Sequence, residues 1–572
     1  MIDRMTKYSF ILLMQDKDSF IENLRDIGVI DITRGSKPVD EHSETLLSNI
    51  QEKKTLIKEI SSGMDAHLSE LNTVLKEHEK ELREAQAWGD YDKEKLKGLG
   101  IDIHYFCLRD KDFDESWKEQ FAIQPVWKEN GKIWFVVVGD AEGFPYKEIP
   151  APQHTASEIR SSIEIIKAEI DSYTKALEAR KSELPIMETE LHRMEMDLSA
   201  YLASLQGSEA AERELVTYVG FAPIEKDAEL KTTFDGMEGI FYWSEPADVE
   251  DNPPIEFRNN RFVQMFEPLT DMYGRPAYNG FDPTPYISVF FLLFFAMCMG
   301  DAGYGIILII TGFLLKKAKS FANLAPLVIT LGIGTVIIGF FFHTFFSMDI
   351  SQWQCIPDSV KKIFVPAKVA GYDGTMILAL AIGVIHLCLA MTVKAIYAVK
   401  NKGFANSLGV LGWTLLIVGG VIVGAFALAG VISAKATKII IITIGIISAH
   451  GIFLLNDLHR NPALNIGSGL WETYNTATGV LGDVLSYLRL YALGLAGGML
   501  GFAFNDLAEM ARGDGGISGW IFFILIVVVG HTLNLAMAAL GAFVHPLRLN
   551  FLEFFKNSGY EGTGHKYNPI KK

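Results

Sequence analysis

The second half of the chain contains long apolar stretches with almost no charged residues, and this feature limits the possible folds more than any other. A bilayer core about 30 Å thick is crossed by roughly 20 helical residues. The stretches predict eight transmembrane helices, near residues 284–300, 302–316, 324–346, 374–399, 406–432, 437–456, 471–511 and 517–550. We therefore expect a polytopic membrane protein whose α-helical membrane domain covers residues 284–556.

Charge divides the chain at the same place. Residues 282–572 carry 19 Lys and Arg and 13 Asp and Glu, a net charge of +6, whereas residues 1–281 carry 33 and 55, a net charge of −22. The acidic first part argues against nucleic acid as a partner, because phosphate binding needs clustered Lys and Arg. The cysteines, Cys107, Cys298, Cys355 and Cys388, are scattered without CxxC pairs. They predict neither a metal site nor a disulfide framework, and no cofactor is expected.

Two segments of the acidic part have the apolar spacing of a coiled coil. From Ile159 to Leu205 apolar residues recur in steps of three and four, over about seven heptads. The segment from Leu46 to Leu82 repeats the theme, with Gly63 as a weak point. We predict helices at 39–88 and 155–207 that form one antiparallel hairpin, kinked near Leu184 because Pro185 removes a backbone donor. The alternative is a coiled coil that merely dimerises the protein.

Short β-like runs interrupt and flank this hairpin. HYFCL and KIWFVVVGD, within residues 90–150, predict a small α/β lobe at its tip. YSFILLM at 8–14 lacks a signal-peptide cleavage pattern and is interpreted as a strand. With ELVTYVGFAP it predicts a second lobe built from residues 1–38 and 208–260. The expected fold class is a cytoplasmic α+β dumbbell at 1–260, a linker at 261–283, the helical membrane domain, and a cytoplasmic tail at 557–572.

An even number of spans returns both termini to one side of the membrane. With a cytoplasmic N-terminus most loop and tail lysines and arginines fall inside, as the positive-inside rule prefers, and six fall outside: Lys361, Lys362, Lys368, Lys435, Lys438 and Arg512. The last two spans are unusually long. About 40 helical residues reach roughly 60 Å, twice a perpendicular crossing, so these helices must tilt steeply, break, or project from the membrane.

Arg489 lies about halfway along the seventh predicted span. A cation at this depth costs roughly 2.5–3.5 kcal/mol on insertion scales, and a guanidinium cannot escape by deprotonating. Asp483 is the nearest acidic residue in sequence, but a separation of six residues turns through about 600°, which places it on another face of the helix. The counter-ion of Arg489 is therefore expected on another polypeptide.

The eighth span ends in GAFVHPLRLNFLEFF, which places His545, Arg548 and Glu553 at its cytoplasmic exit. Arg548 and Glu553 have two interpretations: interfacial snorkelling, or a polar path by which ions reach Arg489. His531 and Asn534 are further polar residues of this helix. His343, His386 and His450 are interpreted as packing or helix-bonding residues.

Four stretches together resemble the membrane stator subunit of vacuolar and archaeal type rotary ATPases, called subunit a or subunit I. They are SYLRLYALGLAG, VHPLRLNFLEFF, residues 266–305 and the tail's YEGTGHKYNP. The resemblance covers the whole chain in layout and the last 310 or so residues in motifs. The compact length is more similar to the prokaryotic form, which implies the cell membrane of a prokaryote.

The resemblance implies a partner and a mechanism. In that family the N-terminal dumbbell holds the peripheral stalks, built of E/G-type subunits, and the two long helices press against a rotating ring of c/K-type proteolipids that carry one essential carboxylate each. The central stalk and the catalytic A/B subunits complete the complex. Arg489 matches the family's arginine between two half-channels, and Arg548, with His545 three residues before it, matches the second arginine.

Two positions depart from the eukaryotic pattern. A histidine eight residues after the first arginine is Gly497 here, and a glutamate ten residues before the second is Ala538. The half-channel lining must therefore differ. GDAGYG at 300–305 recurs in the family, but its local interpretation as a tight turn between two helices is sufficient.

No GxxxxGK[ST] loop occurs in the chain, so ATP hydrolysis is expected on partner subunits and this chain is not expected to be an enzyme by itself. Two other function classes remain open: an autonomous channel or transporter with a cytosolic sensor, and a structural anchor with an inert membrane part. The sequence leaves open whether the ion is H⁺ or Na⁺, and whether the complex pumps or synthesises.

Overall fold

The computed structural model describes residues 2–32, 40–62, 66–90, 95, 98, 100, 102–129, 131–141, 143–150, 154–210, 214–317, 322–353, 356–366, 368–369, 371–455, 462–513 and 516–571. The chain forms two compact units. The first unit comprises Met1–Leu13, Ile30–Ile32 and Glu209–Pro569, and the second comprises Met14–Val29, Thr33–Ser208 and Ile570–Lys572.

The amino-terminal part alternates strands and helices. Its elements are β1 (Met5–Leu13), α1 (Lys17–Ile27), β2 (Asp31–Ile32), α2 (Glu41–Ser62), α3 (Ala66–Ala85), β3 (Ile103–Arg109), α4 (Trp117–Gln120), β4 (Ile123–Glu129), β5 (Lys132–Val138), α5 (Ala156–Arg180), α6 (Leu184–Ser204), β6 (Ser208–Ala210), β7 (Leu215–Pro223), α7 (Asp227–Asp235), β8 (Ile240–Pro246), α8 (Arg261–Gln264) and α9 (Glu267–Tyr273).

In the first unit, β1 lies between β7 and β8 in a sheet with the order β2-β7-β1-β8. Strand β6 also pairs with β7. Antiparallel pairing aligns Met5 with Pro223 and Leu13 with Leu215. The apolar run at 8–14 is therefore a strand, as its pattern predicts, and so is the run at 214–223. Alternate side chains of β1, such as Tyr8 and Phe10, are fully buried, as expected for a sheet with one covered face.

The second unit contains the predicted helical pairs. Helix α2 packs against α6, and α3 packs against α5. Their seams are apolar: Ile60 lies against Leu177 and Met187 in one cluster, and Ile159 belongs to the other. A 3₁₀ turn at Lys181–Glu183 lies at the predicted kink and separates α5 from α6, and the backbone angles at both of its ends stay helical. Pro185 occupies the first turn of α6, where its missing N–H leaves no helix bond unmade. The predicted weak point Gly63 lies outside the described residues.

The second unit also holds a three-stranded antiparallel sheet in the order β3-β5-β4. Its core is formed by Phe106, Ile133, Phe135 and Val137, which alternate along β3 and β5. The two predicted β-like runs are thus the neighbouring strands β3 and β5. Helix α5 begins beyond this sheet with a capping box, in which Thr155 and Glu158 satisfy each other's backbone N–H groups.

The carboxyl-terminal part is helical. Its elements are α10 (Thr284–Met299), α11 (Ala302–Lys317), α12 (Ala325–Phe341), β9 (Thr344–Phe345), β10 (Met348–Asp349), α13 (Asp358–Lys361), β11 (Lys368–Val369), β12 (Tyr372–Asp373), α14 (Gly374–Lys402), α15 (Leu408–Leu428), α16 (Ala434–Phe453), α17 (Pro462–Ser486), α18 (Leu488–Arg512), α19 (Ile517–Arg548), a π-helix (Leu549–Phe554) and α20 (Phe555–Ser558).

Within the described part of the chain, five helical stretches are long and apolar enough to cross a membrane: Gly374–Lys402, Ala405–Leu428, Ala434–Phe453, Ala463–Arg512 and Ile517–Ser558. The chain therefore has a helical membrane region after an α+β amino-terminal region. Helices α10, α11 and α12 coincide with the first three predicted spans, but they have only 16, 16 and 17 residues. At 1.5 Å per residue they are roughly 25 Å long, slightly less than the bilayer core.

Helix α10 lies at the centre of the main apolar core, where Ile287, Phe291 and Phe294 are fully buried. The GDAGYG segment is a tight turn between α10 and α11, as predicted. Gly300 has a φ of +57°, which favours glycine, and Asp301 Oδ1 accepts a hydrogen bond from the Gly303 N–H at the start of α11. This turn fixes the ends of two core helices.

Candidate functional site

Arg489 lies in the first turn of α18, directly after a break in the long seventh span. Tyr487 is the residue between α17 and α18, and it is fully buried. A hydrogen bond of 2.9 Å joins Tyr487 Oη and His386 Nδ1 of helix α14. The Tyr487 ring packs on Gly383, where an added Cβ would lie 2.3 Å from its Cγ. These contacts from α14 bury Tyr487, the single residue between α17 and α18, whose own backbone angles stay helical.

The guanidinium of Arg489 is half-buried, and its Nη1 atom is buried without a hydrogen-bond partner among the described residues. No ion pair to Arg489 occurs in the part of the chain that the structure describes. Asp483 is engaged elsewhere, because it accepts hydrogen bonds from Lys556 Nζ at 3.2 Å and from Asn557 Nδ2 at 2.7 Å. As the helical angle predicts, Asp483 does not neutralise Arg489.

Helices α18 and α19 form a closely packed antiparallel pair. Three contacts set their register: Phe504 with Gly530, Gly497 with Asn534, and Leu493 with Gly541. Continuing this register by one turn places Arg489 level with His545. His545, Glu553 and the Cys298 thiol lie within electrostatic range of Arg489.

The other three predicted site residues lie on the last helical stretch in different environments. Arg548 is exposed, His545 is half-buried, and Glu553 is buried with 4% of its surface accessible. Pro546 lies inside α19, and the chain continues as a π-helix that carries Glu553. Pro and π-helical turns both distort the regular ladder, and π-helical turns are frequent at functional sites. Arg489, His545 and Glu553 therefore form one cluster, with Arg548 at its outer edge.

Both arginines lie on an open face of the α18–α19 pair. On α18, the exposed residues follow Arg489 at helical spacing: Ala492, Ala496, Met499 and Ala503. On α19, the corresponding exposed residues precede Arg548: Leu533, Met537, Leu540 and Val544. We call these two rows the open face. It combines apolar character with small residues beside the guanidinium, which permits another helix to approach closely.

A cavity of about 420 Å³ lies beside α18, and Met499 belongs both to its wall and to the open face. Its walls include Asp301, Asp349 and Asp373, and also Leu490, Tyr491 and Gly494, which are close to Arg489 in sequence. Gly497 and Ala538 also line it. The two positions at which the chain departs from the eukaryotic pattern are therefore small residues on the wall of one cavity.

A buried polar network borders this cavity. Tyr304 Oη shares a 2.7 Å hydrogen bond with His531 Nδ1, and Asn534 Nδ2 donates to Tyr304 Oη and to the Gly497 carbonyl, both at 2.8 Å. His531 Nε2 is 2.9 Å from Asn505 Oδ1. Sequence reasoning identified His531 and Asn534 as polar residues but missed their partner Tyr304, whose position in GDAGYG was the available signal.

Asp301 contributes a second set of hydrogen bonds at the same end. Its carboxylate accepts from the backbone N–H groups of Gly303, Phe346 and Ser347. It thereby ties the start of α11 to the short β9–β10 hairpin. These bonds show that Asp301 holds the turn and the hairpin together. Asp301 also contributes a carboxylate to the wall of the 420 Å³ cavity.

His386 and His450 pack or bond to their helix, as the sequence predicts, whereas His343 lines the 420 Å³ cavity and its Nδ1 is buried without a partner among the described residues. His386 is fully buried between the rings of Phe290 and Phe554, at centroid distances of 4.2 and 4.8 Å. His450 Nδ1 lies 2.9 Å from the Ile446 carbonyl one turn earlier in its helix. In the described ranges, no group of His, Cys, Asp and Glu has an arrangement that would hold a metal ion.

Comparison with known proteins gives a consistent result. Residues 147–355 and 473–572 match the model of the V-type ATPase 116kDa subunit family. An A-type ATP synthase subunit I from Methanocaldococcus jannaschii is 31% identical over 84% of this chain and 70% of its own length. The A-type ATP synthase subunit I of Pyrococcus horikoshii is 30% identical over 76% of this chain and 64% of its own length. A V-type ATP synthase subunit I from Borreliella burgdorferi is 24% identical over the full length of both chains.

Proposed function

The chain belongs to the V-type ATPase 116kDa subunit family, and we propose that it is the membrane-embedded stator subunit of an A- or V-type rotary ATPase. In this proposal it provides two ion half-channels and couples H⁺ or Na⁺ movement to ATP hydrolysis or synthesis. Hydrolysis belongs to the catalytic A/B subunits, because this chain carries no P-loop motif. The chain itself supplies the ion path and a fixed charge.

One observation carries the proposal: Arg489 sits in an apolar helix pair without a carboxylate partner among the described residues. A guanidinium is always charged, and leaving it uncompensated in a membrane is costly. Arg489 also begins the row of small residues on the open face. We infer that a carboxylate of the c/K-type rotor ring compensates this charge as it passes the open face.

The charge then accounts for the coupling. A ring carboxylate beside Arg489 is stabilised in its ionised form, and a bound H⁺ or Na⁺ is repelled, so the ion leaves. A carboxylate that moves on into lipid cannot stay ionised cheaply, so it takes up an ion before it leaves the protein. Because Arg489 stands between the two exchange points, ions pass only when the ring turns.

The cavity supports an assignment for one half-channel. Its wall carries Asp301, Asp349 and Asp373, and it also carries Tyr491, which is two residues from Arg489 and contacts Asp373. Carboxylates at the entrance attract cations, and the polar network of Tyr304, His531 and Asn534 offers hydrogen-bond partners to water or a hydrated ion along the wall. The small residues Gly497 and Ala538 keep the path wide.

The second half-channel is assigned to the cluster at the end of α19. His545 Nδ1, Asn550 Oδ1 and Glu553 Oε2 are buried polar atoms without a partner among the described residues. Buried polar groups are normally hydrogen-bonded, and ordered water is the usual partner where protein offers none. These groups lead from Lys556 and Asn557 towards Arg489, so they fit a hydrated path for ions. Of the two interpretations of Glu553, its burial favours the path over snorkelling.

The topology follows from the same proposal. Helices α10, α11 and α12 join the five long apolar stretches to give eight spans, with both termini in the cytoplasm of a prokaryotic cell. The cytoplasmic domain at 1–260, with its lobes at 1–38 plus 208–260 and at 90–150, anchors the E/G-type peripheral stalks. It thereby prevents the membrane domain at 284–556 from turning with the ring.

Replacing the guanidinium tests the proposal. Arg489→Ala should abolish ATP-driven ion uptake into vesicles that contain the assembled complex, because ring carboxylates no longer release their ions at this point. Subunit content on a gel should be unchanged, since no described residue depends on Arg489 for an ion pair.

Arg512→Ala provides the matched control, because Arg512 lies at the other end of α18 in an exposed ion pair with Glu509. It should pump normally. Normal uptake by Arg489→Ala would contradict the proposal and favour an inert anchor. Ion flux through this chain reconstituted alone would instead favour an autonomous channel.

A further inference from the structure

A separate cavity of about 270 Å³ lies between helices α14, α15 and α17, close to α20. Its lining on α17 ends at Val480, nine residues before Arg489, and the cavity shares Lys556 and Asn557 with the start of the second proposed ion path. Its polar lining includes Lys394, Trp413, Glu472, Asn475 and Lys556. Apolar side chains, among them Met391, Val410 and Val480, form the remaining wall.

Trp413 is the first sign of a ligand in this cavity. Its side chain is only 8% exposed, yet its indole Nε1 is buried without a hydrogen-bond partner among the described residues. A buried tryptophan N–H normally finds an acceptor. An indole can only donate, so the missing partner must be an acceptor such as an oxygen anion.

The charges around the cavity point to the same kind of ligand. Lys394 makes no ion pair among the described residues, although it lines the cavity. Lys556 is shared: its Nζ lies 3.2 Å from both Asp483 oxygens, and 60% of its side chain stays exposed. The carboxylate of Glu472 also lines the cavity and limits how much negative charge it accepts. Two lysines and a tryptophan with an unpaired indole N–H therefore line one cavity, and after the Glu472 carboxylate is counted their charge suits one singly charged anion.

The surroundings favour a lipid over a free ion. Trp471 and Tyr474, on the turn of α17 that carries Glu472, are 68% and 64% exposed. Exposed Trp and Tyr on a membrane helix mark the headgroup level of the bilayer. The apolar part of the cavity wall lies where acyl chains would continue from a headgroup. Basic pockets between transmembrane helices at this level bind anionic headgroups.

We propose that this cavity binds the phosphate of an anionic phospholipid. Lys394 and Lys556 form charge-assisted hydrogen bonds with the phosphate oxygens, and Trp413 Nε1 donates a third. By the topology proposed above, the lipid comes from the cytoplasmic leaflet. It joins α14 and α15 to α17, so it steadies the helix that leads to the break before Arg489.

The test uses the full-length chain in detergent, stripped of lipid and titrated with fluorescent phosphatidylglycerol while anisotropy is measured. Lys394→Gln should weaken binding about tenfold, the effect of one charge-assisted hydrogen bond. Trp413→Phe keeps the ring and removes only the N–H, so it should weaken binding several-fold while the chain remains folded. Lys400→Gln, at the exposed end of the same helix, should bind like the unmodified chain.

Two competitors identify the ligand. Phosphatidylcholine, which has no net charge, should bind more weakly than phosphatidylglycerol, and millimolar inorganic phosphate should not displace the lipid. Unchanged binding in both Lys394→Gln and Trp413→Phe would overturn the proposal. Equal binding of phosphatidylcholine, or complete displacement by inorganic phosphate, would overturn it too, the latter because the site would then be one for free anions.

Discussion

At the scale of single residues, the important property of Arg489 is that its charge has no ion-pair partner among the described residues. Asp483 looks like the natural counter-ion of Arg489 in the sequence, but in the structure it is satisfied by Lys556 and Asn557. Arg489 makes no ion pair with a described residue, although Glu553 lies within its electrostatic range, and it stands beside an open row of small residues. Charge and access at one position are what an exchange with a moving carboxylate requires.

Gly497 permits a direct test of the cavity. It lines the 420 Å³ cavity, and a Cβ added there would meet nothing within 4 Å, so the helix accommodates a larger residue. We expect Gly497→Leu to fill part of the path and to reduce ATP-driven ion uptake several-fold while the complex still assembles. Gly445→Leu is the matched control, because a Cβ at Gly445 also meets open space but lies outside the cavity. Equal uptake in the two variants would contradict the assignment of the half-channel.

At the scale of secondary-structure elements, the important feature is the break between α17 and α18. Its position is fixed by the Tyr487–His386 hydrogen bond and by the fit of the Tyr487 ring on Gly383. Both groups are fully buried, so removing one partner leaves the other unsatisfied. The break in turn determines where Arg489 points.

Tyr487→Phe removes this hydrogen bond and keeps the ring. We expect it to destabilise the membrane domain by about 1–3 kcal/mol, the cost of an unsatisfied buried group, and to lower coupled ion uptake. Thermal unfolding of the purified protein measures the first effect. Tyr474→Phe is the control, because Tyr474 is 64% exposed and its hydroxyl makes no such buried bond. If both variants unfold at the same temperature, the hydrogen bond does not hold the break.

The carboxyl-terminal tail is a second element with a measurable property. It docks through backbone hydrogen bonds that join Ile255 to His565 and Tyr567, at 2.8 and 3.0 Å, and Gly564 to Arg275 at 2.9 Å. Burial lowers the pKa of His565 below its ordinary value of about 6.5. The docked tail therefore prefers the neutral imidazole. Its docking is strongest above about pH 6.5 and weakens as the pH falls below that value, because the released tail then binds a proton more readily.

Hydrogen exchange of residues 560–568, corrected for the intrinsic rate, should show less protection at pH 5.5 than at pH 7.5. His565→Gln carries no titrating group at this position and should show a smaller difference between the two conditions. An equal loss of protection in both chains would mean that another group controls the docking.

The elements also show how far the sequence alone reaches. Period-two and heptad patterns predict β1, β7 and the paired helices correctly, because the burial of alternate residues or of one helical stripe leaves a direct trace in the sequence. The length of the seventh predicted span indicates that the helix must tilt, break or project. The sequence around Tyr487 contains no signal that would place the interruption there. Its position depends on His386 and Gly383, about 100 residues away, which no periodicity reveals. In the same way, the cavity behind Gly497 and Ala538 appears only when helices from separate parts of the chain come together.

At the scale of the whole molecule, the proposed function needs a second component, the rotor ring. In our proposal two ion paths approach Arg489 from two sides. The open face of α18 and α19 exposes apolar side chains such as Met499, Met537 and Leu540. Exposed apolar rows are normal against lipid, but a charged residue at one end of such a row needs a partner of opposite sign. The family membership and this geometry support our proposal that a rotor ring moves along this face.

Disulfide cross-linking tests directly whether the rotor ring contacts the open face. In a complex whose native cysteines are replaced, Ala492→Cys or Ala496→Cys on the open face is combined with a cysteine one turn from the ring carboxylate. We predict cross-links to the ring from both positions and none from Leu493→Cys, because Leu493 packs against the core of its own chain. Cross-links from Leu493→Cys alone, or from none of the three positions, would contradict the account.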